Sequence, residues 1–158
     1  MSETPIYQDR QTGRVYRDAN EMVNDYISRF GRAVGVELDP LDPDGYTEAR
    51  RGSATVGINV LHEHGILLFL SRIMSVPADS GAAGGREAVY RRLLELNFLV
   101  TSDAAFAVDK DKDEIYLRAL RRLSGLDYEE FADLLHTMAS VADEWDDRLA
   151  QIFGAERA

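Results

Sequence analysis

The chain has 158 residues, 28 acidic side chains against 18 basic ones, and no cysteine. The formal net charge is −10 and the apolar share is 45%: enough for the core of one ordinary domain, too much for a disordered acidic tail. Disulfides, thiolate metal sites and thiol nucleophiles are excluded, and nucleic acid or an anionic membrane surface is a poor partner for so acidic a chain.

Residues 1–18 read as an N-terminal arm, with a weak hairpin signal where Tyr7 and Val15-Tyr16 flank Thr12-Gly13. This start has no basic segment followed by an apolar run, so no signal peptide is expected. Residues 19–36 read as a helix. Met22, Val23, Tyr26, Ile27, Phe30 and Val34 make one apolar stripe, and Asp18 is a suitable cap. The prolines, aspartates and glycine of residues 39–45 specify turns. A short strand over 46–50 is expected, then a strand over 54–62, where Ala54, Val56, Ile58 and Val60 alternate with smaller or polar residues.

After a turn at His62-Glu63-His64-Gly65, residues 66–74 are apolar on both faces, as in a strand covered on both sides. Their longest apolar run, Ile66 to Leu70, is far short of the ~20 residues of a membrane span. A soluble, cytoplasmic protein is expected. Residues 78–85 are a small-residue loop. Residues 86–100 form a second helix with a wide apolar girth, the mark of deep burial or of an interface. Two short strands, 104–108 and 115–120, flank an Asp/Lys turn. Asp127 and Glu130 read as a capping box for a last helix. Tyr128, Phe131, Leu135, Met138, Ala142, Trp145, Leu149 and Ile152 run along it as a heptad seam.

The expected fold is therefore α+β, in the order helix, three strands, helix, two strands, helix, with the helices packed on an antiparallel sheet. A single domain over 19–154 follows the arm at 1–18.

Signs of catalytic or metal chemistry are few. His62 and His64 make an H-x-H pair, but Gly65 turns the chain there and no third ligand is placed by spacing. The run at 109–114 starts like a calcium loop but has Glu114 and Leu120 where Gly and Glu belong. Gly81, Gly84 and Gly85 lack the Lys and Ser/Thr of a phosphate loop. No metal, cofactor or enzymatic activity is expected. What stands out is apolar surface generous for a monomer.

Three segments carry a resemblance: LLFLSRIMSVP (67–77), LLELNFLVTSDAAFAVDKDKDEIYLRALRRLSGLD (93–127) and FADLLHTMASVADEWDDRL (131–149). Their order and spacing resemble the class I type III secretion chaperones, the Tir-chaperone-like group, with the related YbjN-type domains. The resemblance implies a homodimer without enzymatic activity or ATP, binding an extended segment of a client, a secretion substrate. It implies a dimer interface on the second helix, here Leu93, Leu96, Asn97 and Phe98. It implies client contacts on the first helix and the sheet, here Ile27, Phe30, Val34, Leu67 and Phe69. The YbjN-like branch leaves a second expectation, a regulatory or protein-interaction domain without a secretion client.

Overall fold

The computed structural model describes residues 4–78, 85–99 and 103–154. A hairpin of β1 (Tyr7–Gln8) and β2 (Val15–Tyr16) leads into helix α1 (Ala19–Val34). Strands β3 (Tyr46–Arg51), β4 (Ala54–Leu61) and β5 (Ile66–Ser75) follow, with one 3-10 turn at His62–His64. Helix α2 (Gly85–Leu99), strands β6 (Ala105–Asp109) and β7 (Glu114–Arg122) and helix α3 (Tyr128–Phe153) complete the chain. The α+β order expected from periodicity is the order observed, with the hairpin added in front. Val100 and most of the 78–85 loop, Gly81 and Gly84 included, lie outside the described residues.

The five longer strands form one antiparallel sheet in the order β3-β4-β5-β7-β6. Alternation sorts its side chains between two faces. Val56, Ile58, Val60, Leu67, Phe69, Leu117 and Ala119 are buried on the inner one. Helix α3 lies there and buries Phe131, Leu135, Met138, Ala142 and Leu149 of its seam. Each of these but Ala142 stabilises the fold by roughly 1.5–3 kcal/mol when fully buried. The seam ends at Ile152, which is exposed.

Helix α1 packs its Met22, Val23, Tyr26 and Ile27 stripe into the same core. The Asp18 carboxylate accepts from the Glu21 N–H at 2.8 Å, as a cap should. The helix ends at Gly35 in the left-handed region (φ 74°), one residue before Val36 closes back on Gly31. A Cβ on Gly31 would lie 2.7 Å from the Val36 carbonyl oxygen, so only glycine permits this return.

One local expectation turns out differently. Asp127 stands at the N-cap of α3, but its carboxylate accepts from the Arg10 N–H at 3.3 Å instead of a helix amide. Glu130 is drawn off by Arg121 at 2.9 Å, so no capping box forms. The hairpin signalled by Tyr7 and Val15-Tyr16 forms, and it is anchored. Asp9 is fully buried and accepts from Arg29 at 2.6 Å, from the Thr12 hydroxyl and from the Gln11 N–H. The hairpin is thereby fixed to α1.

Candidate functional site

Two places on the described surface bring apolar groups to solvent beside main-chain or side-chain structure able to hold a polypeptide. The first is the β3 edge. In an antiparallel ladder alternate residues turn their N–H and C=O groups toward the partner strand. The Gly45 carbonyl faces β4, where it accepts from the Val60 N–H. The groups of Tyr46, Glu48 and Arg50 therefore face outward. Those of Tyr46 are taken by Asp42, through a 2.8 Å main-chain bond and a 3.0 Å bond to the carboxylate. Among the described residues nothing pairs with the outward groups of Glu48 and Arg50.

Beside this edge runs a groove of about 190 Å³ lined chiefly by Phe30, Val34, Val36, Leu38, Ala49 and Leu135. Helix α1, the return of the chain after Gly31, β3 and α3 each supply a wall. Arg51 and His136 stand together at its rim, with Arg51 Nη1 3.5 Å from His136 Nδ1. Of the five residues expected to touch a client, the structure brings two here. Phe30 is half-buried and Val34 is 51% exposed. Ile27, Leu67 and Phe69 lie in the closed core at 0–1% exposure and offer no surface. Sequence periodicity marks them as apolar but does not separate the center of a stripe from its margin. Val36 and Leu38 join the groove through the chain's return after α1 and Ala49 through β3, placements that periodicity alone does not show.

The second place is the outer face of α2, where Tyr90, Leu94 and Phe98 are bordered by Glu87, Arg91 and Glu95. Leu94 is 70% exposed and Phe98 84%. The four residues expected at a dimer interface divide. Phe98 lies on this face. Leu93 and Leu96 turn into the chain's own core at 4% and 2% exposure. Asn97 turns to β6, where its side chain accepts from the Phe106 N–H at 2.7 Å and donates to the Phe106 carbonyl at 3.2 Å. The opposite sheet edge is therefore blocked at Phe106. Leu94 belongs to the wide apolar girth of residues 86–100.

His62 and His64 are both exposed in their turn. The Asp109 carboxylate accepts the N–H groups of Asp111 and Lys112, as a tight polar turn requires. No helix among the described residues is long and apolar enough to cross a membrane.

No curated protein matches the chain in sequence. Among solved structures, the crystal structure of the ExsC–ExsE complex is similar with a TM-score of 0.64 and 22% identity, covering 84% of this chain and 96% of the other. The heterodimeric ExoU–SpcU complex from the type III secretion system of Pseudomonas aeruginosa is similar with a TM-score of 0.58 and 20% identity, over 84% and 98%. YbjN from E. coli is a more distant likeness, at a TM-score of 0.48 and 14% identity over 82% and 93%. At these identities the likeness is one of fold. The family model of the Tir chaperone protein (CesT) family matches residues 26–146. That stretch runs from the middle of α1 into the last turns of α3 and takes in the β3 edge, the groove and α2: the chain belongs to the Tir chaperone protein (CesT) family.

Proposed function

We propose that this protein is a chaperone that, without ATP or catalysis, holds an extended segment of a client, a type III secretion substrate, along β3. The observation that carries this reading is the open β3 edge lying against an apolar groove. An added strand would pair with the free groups of Glu48 and Arg50. Its alternate side chains would reach the groove between Phe30, Val34 and Leu135. Main-chain bonds of this kind give affinity largely independent of sequence, and the pockets give selectivity. The structural relatives are themselves complexes of two proteins, which supports a partner here.

We further propose a homodimer through the outer face of α2, built on Tyr90, Leu94 and Phe98. An 84% exposed phenylalanine beside a 70% exposed leucine is the kind of patch that marks an association site.

The test uses tagged full-length chain and its Val34→Asp variant in the native host. Partners held by the first and lost by the second are identified and co-purified. Hydrogen exchange should then show protection of the Glu48 and Arg50 amides in the complex. A partner that binds the variant equally, or leaves those amides exchanging freely, removes the β3 groove as its site.

A further inference from the structure

The groove beside β3 ends in a rim that an apolar client residue would leave unsatisfied. Arg51 is exposed there, and its side chain has one polar contact among the described residues, the 3.5 Å approach of Nη1 to His136 Nδ1. Arginine only donates, so Nδ1 accepts and the ring proton of His136 lies on Nε2. A contact of that length to a neutral nitrogen is weak beside the bonds a guanidinium makes to a carboxylate. The acids of α3 on either side of His136 are engaged elsewhere. Asp143 accepts from the Ser53 N–H at 3.1 Å, Asp146 accepts from the Ser53 hydroxyl at 2.6 Å, and Asp133 lines a separate cleft with Arg121. Arg50, the other arginine of the lining, stands 3.9 Å from Glu48. In a chain with 28 acids against 18 bases, Arg51 has no carboxylate partner among the described residues.

Strand geometry fixes how far this donor lies from the apolar part of the groove. Side chains alternate along β3, so Thr47, Ala49 and Arg51 share the face toward α3, and Tyr46, Glu48 and Arg50 face away. A strand added along β3 would set one residue beside Ala49, over Phe30, Val34 and Leu135. The residue two positions along would then lie beside Arg51 and His136. In an antiparallel pair these are the positions without direct ladder bonds, since the outward groups belong to Glu48 and Arg50. Facing Cα atoms there come within about 4.5 Å, and the side chains meet most closely.

We propose that the client segment is recognised by an apolar residue and an acidic residue two positions apart, a reading that rests on β3 being the client's site. The apolar residue fills the groove beside Ala49. The carboxylate accepts from the Arg51 guanidinium, taking the place of His136 Nδ1, and from the ring N–H of His136. Main-chain bonds along β3 are blind to sequence, so this pair supplies the selectivity. A lysine at the acidic position would meet Arg51 with like charge and be rejected. Order along the client follows the direction of pairing. An antiparallel client carries the acid two residues before the apolar anchor, and a parallel client carries it two residues after.

Four synthetic peptides of strand length test this. All are threonine-rich with one isoleucine. Two carry glutamate, placed two residues before the isoleucine in one and two after it in the other. The remaining two carry glutamine at the same places. Affinity for the full chain is read by fluorescence anisotropy, and hydrogen exchange at the Glu48 and Arg50 amides reads the site. In one of the two orders, glutamate should bind about tenfold more tightly than glutamine, and that gain should shrink as salt rises. Arg51→Gln should remove the gain and His136→Gln reduce it. Both variants should bind the glutamine peptides as the unaltered chain does, which also shows that they fold. Equal affinity for glutamate and glutamine, an equal gain in both orders, or a gain that survives Arg51→Gln overturns the proposal. If the Glu48 and Arg50 amides are still protected in those cases, β3 stands as the client's site without the acidic requirement. Unprotected amides, with binding unchanged in Val34→Asp, overturn both readings.

Discussion

Asp9 ties the first strand of the chain to its first helix, and its ionisation follows from that position. Burial pushes its carboxyl up, but the hydrogen bonds from Arg29, Gln11 and Thr12 and the nearby guanidinium outweigh it, and the net shift is down. A carboxyl lowered in the folded state contributes stability that is present above its unfolded value, about 3.9, and is lost as pH falls through the folded one. The hairpin should therefore stay docked through mildly acidic pH and loosen only below the ordinary carboxylate range. Hydrogen exchange at the hairpin amides checks this, and loosening between pH 7 and 5 would contradict it. Asp9→Ala should cost about 3 kcal/mol, near the lower end for breaking a buried pair, because Arg29 keeps some access to water. Tyr16 acts at the other end of the scale. Burial first, then its hydrogen bond to Asp25, pushes its hydroxyl up to about 12. Its contribution is present below the unfolded value of about 10 and lost as pH rises through about 12. Nothing in the local sequence announces Asp9, because its partner lies twenty residues away on another element.

At the scale of the element, α2 separates two roles that its composition merges. Leu93 and Leu96 support the fold, while Leu94 and Phe98 face outward. Leu96→Ala should lower unfolding stability by about 2–5 kcal/mol. Phe98→Asp should leave the melting temperature nearly unchanged and halve the mass measured by light scattering. A dimeric mass for Phe98→Asp would take α2 out of the interface. Asn97→Ala would strand the Phe106 N–H and C=O at the sheet edge, at a cost of roughly 1–3 kcal/mol, with faster exchange at the Phe106 amide. The periodicity of this segment announces a helix wet on few sides, and a helix is what forms. Which leucine faces which way depends on the rotation at which α2 meets β6, and that is a tertiary property. The strands were easier to read, since strict alternation from Ala54 to Val60 sorts the residues between faces without outside information. Asp127 shows the opposite case. Its position at the helix start was legible, but the competing Arg10 amide was not.

The whole molecule distributes its charge unevenly. Residues 37–48 carry five acids and no base, and most acids of α3 lie away from its buried seam. The apolar groove beside β3 is different: its lining carries Arg50, Arg51 and His136 and no acid. A segment bound along β3 should therefore hold more tightly if acidic, and its affinity should fall as salt rises. Titration of a captured client segment against salt reads this directly, and a salt-independent affinity would leave the binding to apolar contacts alone. The arrangement explains why resemblance by element led to Ile27, Leu67 and Phe69 as well as to Phe30 and Val34. The sheet and first helix do surround the groove, but only the margin of each reaches it.

The Asn97 plug on β6 has a further effect on how copies of this chain meet. A sheet with two open edges can grow by adding copy to copy without end, the route to fibres. Here one edge is blocked at Phe106 and the other is open at Glu48 and Arg50, so we expect pairing of β3 with the β3 of a second copy to stop at two. Such a pair would consume the edge that a client needs. Crowding of empty copies should thus produce a finite, reversible species that client addition dissolves, and in Asn97→Ala, with the second edge uncovered, that ceiling on assembly is gone.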